Sequence, residues 1–568
     1  MCRYSDIVTS VNFVNPIFRE STGDRKMNTS GEKKGIKVLV AALSVCIFLV
    51  MSVLPEGAAA EPVSGKLRAG ADSRPLVDLS GFPLAGYGGG DRRKTIPWTD
   101  GYTFFFNAEE GEHDLLRVKT LVLEVEGPPA KLLAFVSTDT VAIADNIITE
   151  VAQALEGTGL KRENIIFAAT HTHSGPGALT DKVFWQIVAV DILNLTIFDH
   201  VTGKIADSIH AALGNLQPAE IGIGVGFEDE ISRNRRHDSG PVDPRVGVIR
   251  VVSVDDDPIG VLFNFAVHPT SLGSSNMLRS ADNVGYAERM LESELSGATA
   301  LFVNAAQGDV APEGGGFEGA QYVGETLAAR VLEIWDSTDT SENAVLEIQT
   351  SMENLPPIEL NLPECDDLIS QLLGTWMVQL PGPLAEEEAL FAAVRINDHA
   401  FITAPGEPIT EIGFQIQDEL DGRGFDEVFI LGLANGHIGY IMTGEEYDIG
   451  GYEACATLHG RNTGEFVMEK SVSVGMELTP LVQPEDPDAG VDSGLIHDAG
   501  QHETDSGSIA EDAFLPTDGE PINGSTDPGS SSAGCGCSSG RGAEHSRSLC
   551  LFILLVLASL AFFVRRVA

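Results

Sequence analysis

The chain has 568 residues and a formal net charge of −47, with 36 basic against 83 acidic residues. Such a field repels nucleic acid and anionic lipid head groups at long range, which excludes nucleic-acid binding. The seven cysteines contain no C-x-x-C ligand set, so a cysteine zinc site is excluded and any metal is left to histidine and oxygen.

At the N-terminus Lys33, Lys34 and Lys37 precede the apolar run Val38–Leu54, and Ala58-Ala59-Ala60 offers a small-residue cleavage pattern. Residues 1–60 therefore read as a leader and signal peptide, with Met27 as an alternative start, and the protein is expected to be exported. Gly81–Gly90 is glycine-rich without the spacing of a phosphate loop and reads as a loop near the site. Leu121–Val125 and Leu132–Val136 flank a Gly-Pro-Pro turn as a hairpin, and Asn146–Leu155 has helical apolar spacing leading to a strand at Ile165. This is a β-α-β unit, the unit of a parallel or mixed sheet.

That strand ends in Thr170-His171-Thr172-His173 and a Ser-Gly-Pro-Gly turn. On an extended segment H-x-H puts both imidazoles on one face, where they can serve one metal or one polar substrate group. The alternative is a histidine pair satisfied by hydrogen bonds alone. A second hairpin, Val246–Val252 and Ile259–Val267, runs directly into His268-Pro269-Thr270-Ser271. After a helix over Val284–Leu295, a strand over Ala300–Asn304 ends in Ala305–Pro312, and a further helix covers Ala320–Trp335. The strand His399–Ala404 ends in Pro405-Gly406-Glu407, and the run Val428–Leu433 leads to His437 and Tyr440. The expected fold class is thus α/β, a mixed sheet with flanking helices and the site at the carboxyl ends of the strands. Strand ends share one rim, so His171, His268, Glu407 and Tyr440 can meet although they are remote in sequence.

Beyond this part, Glu485–Asp527 is rich in Asp, Glu, Gly, Ser and Pro and lacks apolar runs, so 482–534 reads as a disordered acidic spacer. Residues 535–568 combine Cys535-Gly536-Cys537, the apolar run Leu549–Val564 and Arg565-Arg566. They resemble the C-terminal sorting tail of myxobacterial-type surface proteins, the alternative being a plain membrane anchor. Either implies a cell-surface or membrane-anchored protein of a bacterial-type envelope, held to the membrane through its tail. Only Cys365 and Cys455 fall in the folded part, where export would allow them to pair.

The motifs THTHSGPG at 170–177, Asn234-Arg235, FAVHPTS at 265–271, DNVGYA at 282–287, QGDVAP at 307–312 and PGE at 405–407 occur in one order. With GLAN, GEEY and YEACAT between Gly432 and Thr457, they resemble the neutral (alkaline, non-lysosomal) ceramidases. The resemblance covers most of residues 75–470 and ends near Leu481, which gives a hydrolase domain over 61–481. It implies a zinc amidase of a ceramide-like lipid, releasing a sphingoid base and a fatty acid by zinc-activated water. The same resemblance makes His171, His268, Glu407 and Tyr440 the ligands of Zn2+, with His173 and Arg235 as catalytic groups that bind the carbonyl or oxyanion. Two histidines, one carboxylate and an open position are also, on chemical grounds alone, the ligand type of a hydrolytic zinc site.

Two departures stand out. The family's GDVSP serine is Ala311 here, which opens the alternative of a catalytically silent surface lipid-binding protein that kept the fold. The family's C-terminal immunoglobulin-like domain is expected to be absent, its place taken by the acidic spacer. Asp309 reads either as an orienting group or as ordinary turn chemistry, and Tyr452 either as packing or as a substrate contact.

Overall fold

Runs rich in Val, Ile, Leu and Phe build the framework in the computed structural model, which describes residues 61–481 other than 366 and 378. The leader over 1–60, the spacer over 482–534, the tail over 535–568 and the question of an immunoglobulin-like domain all lie outside these residues. Among the described residues no single helix is long and apolar enough to cross a membrane.

Twelve strands form one mixed sheet. In chain order they are β1 (Val63–Pro75), β2 (Arg117–Val125), β3 (Lys131–Thr138), β4 (Ile165–Ala169), β5 (Gln217–Phe227) and β6 (Arg245–Ser253). They continue with β7 (Pro258–Phe265), β8 (Thr299–Asn304), β9 (Asn343–Asn354), β10 (Glu388–Ile396), β11 (His399–Ala404) and β12 (Glu427–Gly432). The pairing runs β8-β7-β6-β5-β1-β9-β10-β11-β12, with β2, β3 and β4 branching from β1. Three pairs are parallel, β3 with β4, β7 with β8 and β11 with β12. Each parallel pair needs a crossover, and helices supply them.

The two expected hairpins form, β2 with β3 and β6 with β7. The expected helices are α1 (Asp145–Ala154), α3 (Asp282–Glu294) and α4 (Gly316–Ser337), joined by α2 (Leu195–Gly214), which the sequence reading did not identify. Later in the chain come α5 (Asp367–Trp376), α6 (Thr410–Leu420), α7 (Tyr452–Cys455) and α8 (Thr463–Glu477).

A core made almost wholly of strand residues, including Leu121, Phe135, Leu262, Leu301, Val394, Phe401 and Phe429, lies where the sheet's inner faces meet. Gly247 lets that approach happen, since a Cβ there would lie 2.4 Å from the Phe429 ring. Helices cover the outer faces. α1 and α2 pack on β2 to β4 through Ile147, Val151, Val201 and Ile205, while α3 and α4 cover β6 to β8 through Val284, Leu291, Leu327 and Val331. α6 and α8 cover β10 to β12 through Ile412, Ile416, Val467 and Val474. Buried on both faces although each pairs with a single neighbour, β4 and β8 are apolar almost throughout, as expected of parallel strands covered on both sides.

The ends of β4, β7, β8, β11 and β12 are stitched into one rim. Asn304 Nδ2 donates to the carbonyls of Ala169 and Thr170, and Ala305 N–H donates to Phe265 O. Leu433 N–H reaches Gly406 O at 2.7 Å, and Asn435 N–H reaches Phe167 O at 2.8 Å. The Asn435 side chain returns the bond, accepting from Phe167 N–H at 3.0 Å. Asn435 does this in the left-handed region, at φ 64°, where asparagine is tolerated better than most residues. Asn435→Ala leaves Phe167 N–H unpaired and puts a less tolerant residue at that φ, so we expect a loss of about 3 kcal/mol, read from the denaturant midpoint at unchanged m-value.

Candidate active site

Leaving β4, the chain turns sharply at His171, which adopts φ 72°. A β-carbon in that region costs about 1–2 kcal/mol, and two bonds hold the residue there. His171 N–H donates to Thr140 O at 3.0 Å, and its Nδ1 lies 2.6 Å from Val141 O. The expected geometry of same-face neighbours on an extended strand is therefore corrected, because the strand stops at Ala169. The His171 and His173 rings still meet, with centroids 4.9 Å apart and planes at 82°.

His268 follows β7 and is fixed in the same way, its Nδ1 lying 2.9 Å from Val310 O. Glu407 leaves β11 and pairs in parallel with Tyr440 in a short two-stranded ladder. One oxygen of Glu407 is 3.2 Å from the Nε2 atoms of both His171 and His268, and its other oxygen is 3.2 Å from His437 Nε2. His171, His268 and Glu407 are all buried, and their ligand atoms lie within 4.8 Å of one another.

The hydrogen-bond chemistry decides what this cluster can hold. A carbonyl only accepts, so Nδ1 of each histidine must carry the proton, and in a neutral ring Nε2 is then a bare lone pair. Burial, aided by the charge of Arg235, pushes His268 down to about 4 and so keeps it neutral. The His268 lone pair and the Glu407 oxygen thus face one point, and His171 Nε2 stands 3.2 Å from the same oxygen. Such an arrangement repels itself unless a cation sits at the centre, so the group can hold a metal ion.

The remaining candidates surround this point. The Tyr440 hydroxyl accepts from Arg235 at 2.9 Å. Arg235 is itself braced, donating to Gly308 O at 2.8 Å and to Glu453 at 2.9 Å. Glu453 also receives Arg236 at 2.7 Å, which makes α7 the anchor of both arginines. His173 lies under Tyr87, with ring centroids 4.6 Å apart, and its Nδ1 is buried without a partner. Burial, reinforced by His171 and His268, holds the His173 imidazole well below its ordinary value, so it is neutral. Gly86 makes room for it, because a Cβ there would lie 2.4 Å from His173 Cγ.

Asp309 braces the loop and does not face the cluster. Its carboxylate accepts from Thr410 N–H and hydroxyl at 2.8 Å and from Asn234 at 2.6 Å, while its carbonyl accepts Arg235 N–H at 2.8 Å. Ala311 sits on a short strand opposite Arg233. Tyr452 stands exposed at the rim, its ring 5.8 Å from that of Tyr440. The sequence reading assigned no role to His437 or Glu453, although His437 lies in the same post-strand run as Tyr440 and that position was the available signal.

A cavity opens above the cluster, with His171, Glu407 and Tyr440 among its walls and Leu179, Trp185 and Val190 as apolar lining. This lining, apolar around one polar centre, matches an apolar ligand that carries one polar group.

A model of the family described as neutral/alkaline non-lysosomal ceramidase, N-terminal, matches residues 98–321 and 319–469. The chain belongs to this family. The neutral ceramidase of Pseudomonas aeruginosa is 25% identical over 503 residues, covering 73% of this chain and 74% of that relative. Neutral ceramidase B of Dictyostelium discoideum is 23% identical over 460 residues, covering 59% of this chain and 64% of the relative. In fold, the chain is similar to the crystal structure of neutral ceramidase from Pseudomonas aeruginosa, with a TM-score of 0.60 and 22% identity over 74% of this chain and 76% of the other.

Cys365 and Cys455 form a disulfide with Cα atoms 5.0 Å apart. The bond ties the chain before α5 to α7, and through Glu453 it supports the two arginines. Its sequence separation is 90 residues, a loop for which closure entropy gives on the order of 4 kcal/mol. Cys365→Ser with Cys455→Ser is expected to lose about that much. Dithiothreitol should lower the Tm of the wild type and leave that of the double variant unchanged.

Proposed function

We propose that the protein is a zinc-dependent hydrolase of the N-acyl bond of a ceramide-like lipid, releasing a sphingoid base and a fatty acid. One observation carries this reading. Two imidazoles, each locked by a carbonyl into the tautomer that bares Nε2, face a buried carboxylate at the polar end of an apolar cavity. Two nitrogens and one oxygen form a donor set that suits zinc, with Tyr440 as the fourth ligand. Family membership supports the amide substrate, and the names of the relatives support ceramide.

Zinc held by His171, His268, Glu407 and Tyr440 would supply a Lewis acid and the means to activate water for attack on the amide. The chain's own groups do the rest. The apolar walls bury the acyl chain and exclude bulk water, which strengthens every polar contact at the reacting carbonyl. His173, neutral and in the cavity wall with its Nε2 3.4 Å from His171 Nε2, is placed to bind the carbonyl oxygen through Nε2–H. Arg235 holds Tyr440 in position and puts a positive charge beside the developing oxyanion. The methyl group of Ala311 has no electron pair to attack a carbonyl, so an acyl-enzyme at that position is chemically closed.

The reading as a silent binding protein has less support. Burying four polar groups against one another is costly without a cation, and ligand binding alone gives no reason to keep them. Export, a spacer and membrane attachment through residues 535–568 complete the proposal, which places the enzyme at the cell surface.

Elemental analysis of the purified protein should find one zinc per chain, lost together with amide hydrolysis when His171→Ala and His268→Ala are combined. Arg235→Ala should keep its metal while hydrolysis falls on the order of 10²–10³-fold. Mass spectrometry during turnover should find no acyl adduct on the peptide that contains Ala311.

A further inference from the structure

The cavity holds a second buried acid that this chemistry leaves unused. Glu386, just before β10, is 3% exposed and lines the cavity together with His171 and Glu407. Neither of its carboxyl oxygens has a hydrogen-bond partner. Its backbone is clamped on both sides, so the side chain cannot easily withdraw. Val183 and Phe184 N–H donate to the carbonyls of Pro383 and Leu384 at 2.9 and 3.0 Å, and Leu355 N–H donates to Glu387 O at 2.9 Å. The nearby Lys182 donates its hydrogen bond to Asp181 at 2.8 Å and acts on Glu386 through its charge alone. Glu386 also lines a second, polar cavity of about 350 Å³ with Asp145, Arg162 and Lys182, and so stands in the wall between the two.

An unpaired buried carboxyl is destabilising, and leucine or methionine would avoid the cost. A ligand that supplies the missing hydrogen bonds gives a reason for the acid to be there. We infer that Glu386 is a specificity residue that pairs with a hydroxyl group of the substrate, so that the cavity selects N-acyl amino alcohols over N-acyl alkylamines.

Burial pushes the Glu386 carboxyl up to about 8, against the pull of Lys182, so it is largely protonated at neutral pH. A protonated carboxyl has one O–H to donate and a carbonyl oxygen to accept, and a hydroxyl offers both complements. A site built to hydrogen-bond a substrate hydroxyl rejects the analogue that lacks it, because its own polar group is then left unpaired.

The inference rests on the N-acyl hydrolase reading, and the test separates the two. The full chain is assayed on two amides of one fatty acid, formed with a long-chain 2-amino-1,3-diol and with an alkylamine of equal length. The wild type should favour the diol amide in kcat/KM by roughly 10-fold to 100-fold. Glu386→Leu should abolish that preference by slowing the diol amide alone, and Glu386→Gln, which keeps a donor and an acceptor, should retain most of it. The Tm of Glu386→Leu should equal or exceed that of the wild type, and Glu386→Met takes its place if it does not fold.

Equal loss on both amides, or an intact preference in Glu386→Leu, overturns the assignment. Binding of the same two amides to the His171→Ala, His268→Ala protein, read by tryptophan fluorescence, gives a second measure. A preference there that disappears with Glu386→Leu sustains the assignment even if no amide is hydrolysed by the wild type, in which case only the hydrolase reading falls.

Discussion

Glu407 is the point on which the site depends. Its two carboxylate oxygens meet three imidazoles, each within 3.2 Å, and all four side chains are buried. Two of those rings have no freedom of tautomer, because Val141 O and Val310 O fix the proton on the far nitrogen. A carboxylate facing bare nitrogen lone pairs is an electrostatic defect in an empty site and a strong ligand set in an occupied one. A cation held by these three groups would relieve that repulsion, and by linkage it would stabilise the rim.

Holding such a defect in place takes a rigid frame. The strand ends that carry His171, His268, the Gln307–Pro312 loop, Glu407 and Tyr440 are joined to one another by backbone and asparagine hydrogen bonds. The ion-pair network of Arg235, Arg236, Glu446 and Glu453 closes the side of the site away from the sheet. Through Glu453 that network is fastened to α7, and the disulfide fastens α7 to the chain before α5. The same four-residue helix presents Tyr452 at the mouth of the cavity. Positioning of Tyr440 therefore depends on covalent and ionic bonds made well outside the cavity.

Ala311 puts a methyl group on a loop that is braced on both sides, since Asp309 joins Asn234 to Thr410 and the short strand pairs with Arg233. A polar cavity wall at Glu386, reached by a part of the chain remote from Ala311, adds a hydrogen-bonding group that no family motif announces.

Much of this was legible in the sequence, and the boundary has a physical origin. The five strands that end at the rim are buried except for the first residue of three of them, so their apolar runs, and the Gly, Pro and His residues that stop them, stand out locally. By contrast β1, VSGKLRAGADSRP, and β9, NAVLEIQTSMEN, carry no such run. They are strands because β2, β5 and β10 supply partners for their backbone, and a hydrogen bond between distant segments leaves no periodic mark on either. The sequence by itself determined which residues could do chemistry and that they stood at strand ends. Tertiary structure alone decided that His171 turns through the left-handed region, that His437 reaches Glu407, that Cys365 meets Cys455, and that Glu386 stands in the cavity wall. Strand register and crossover set these distances, and neither is encoded in any local stretch of chain.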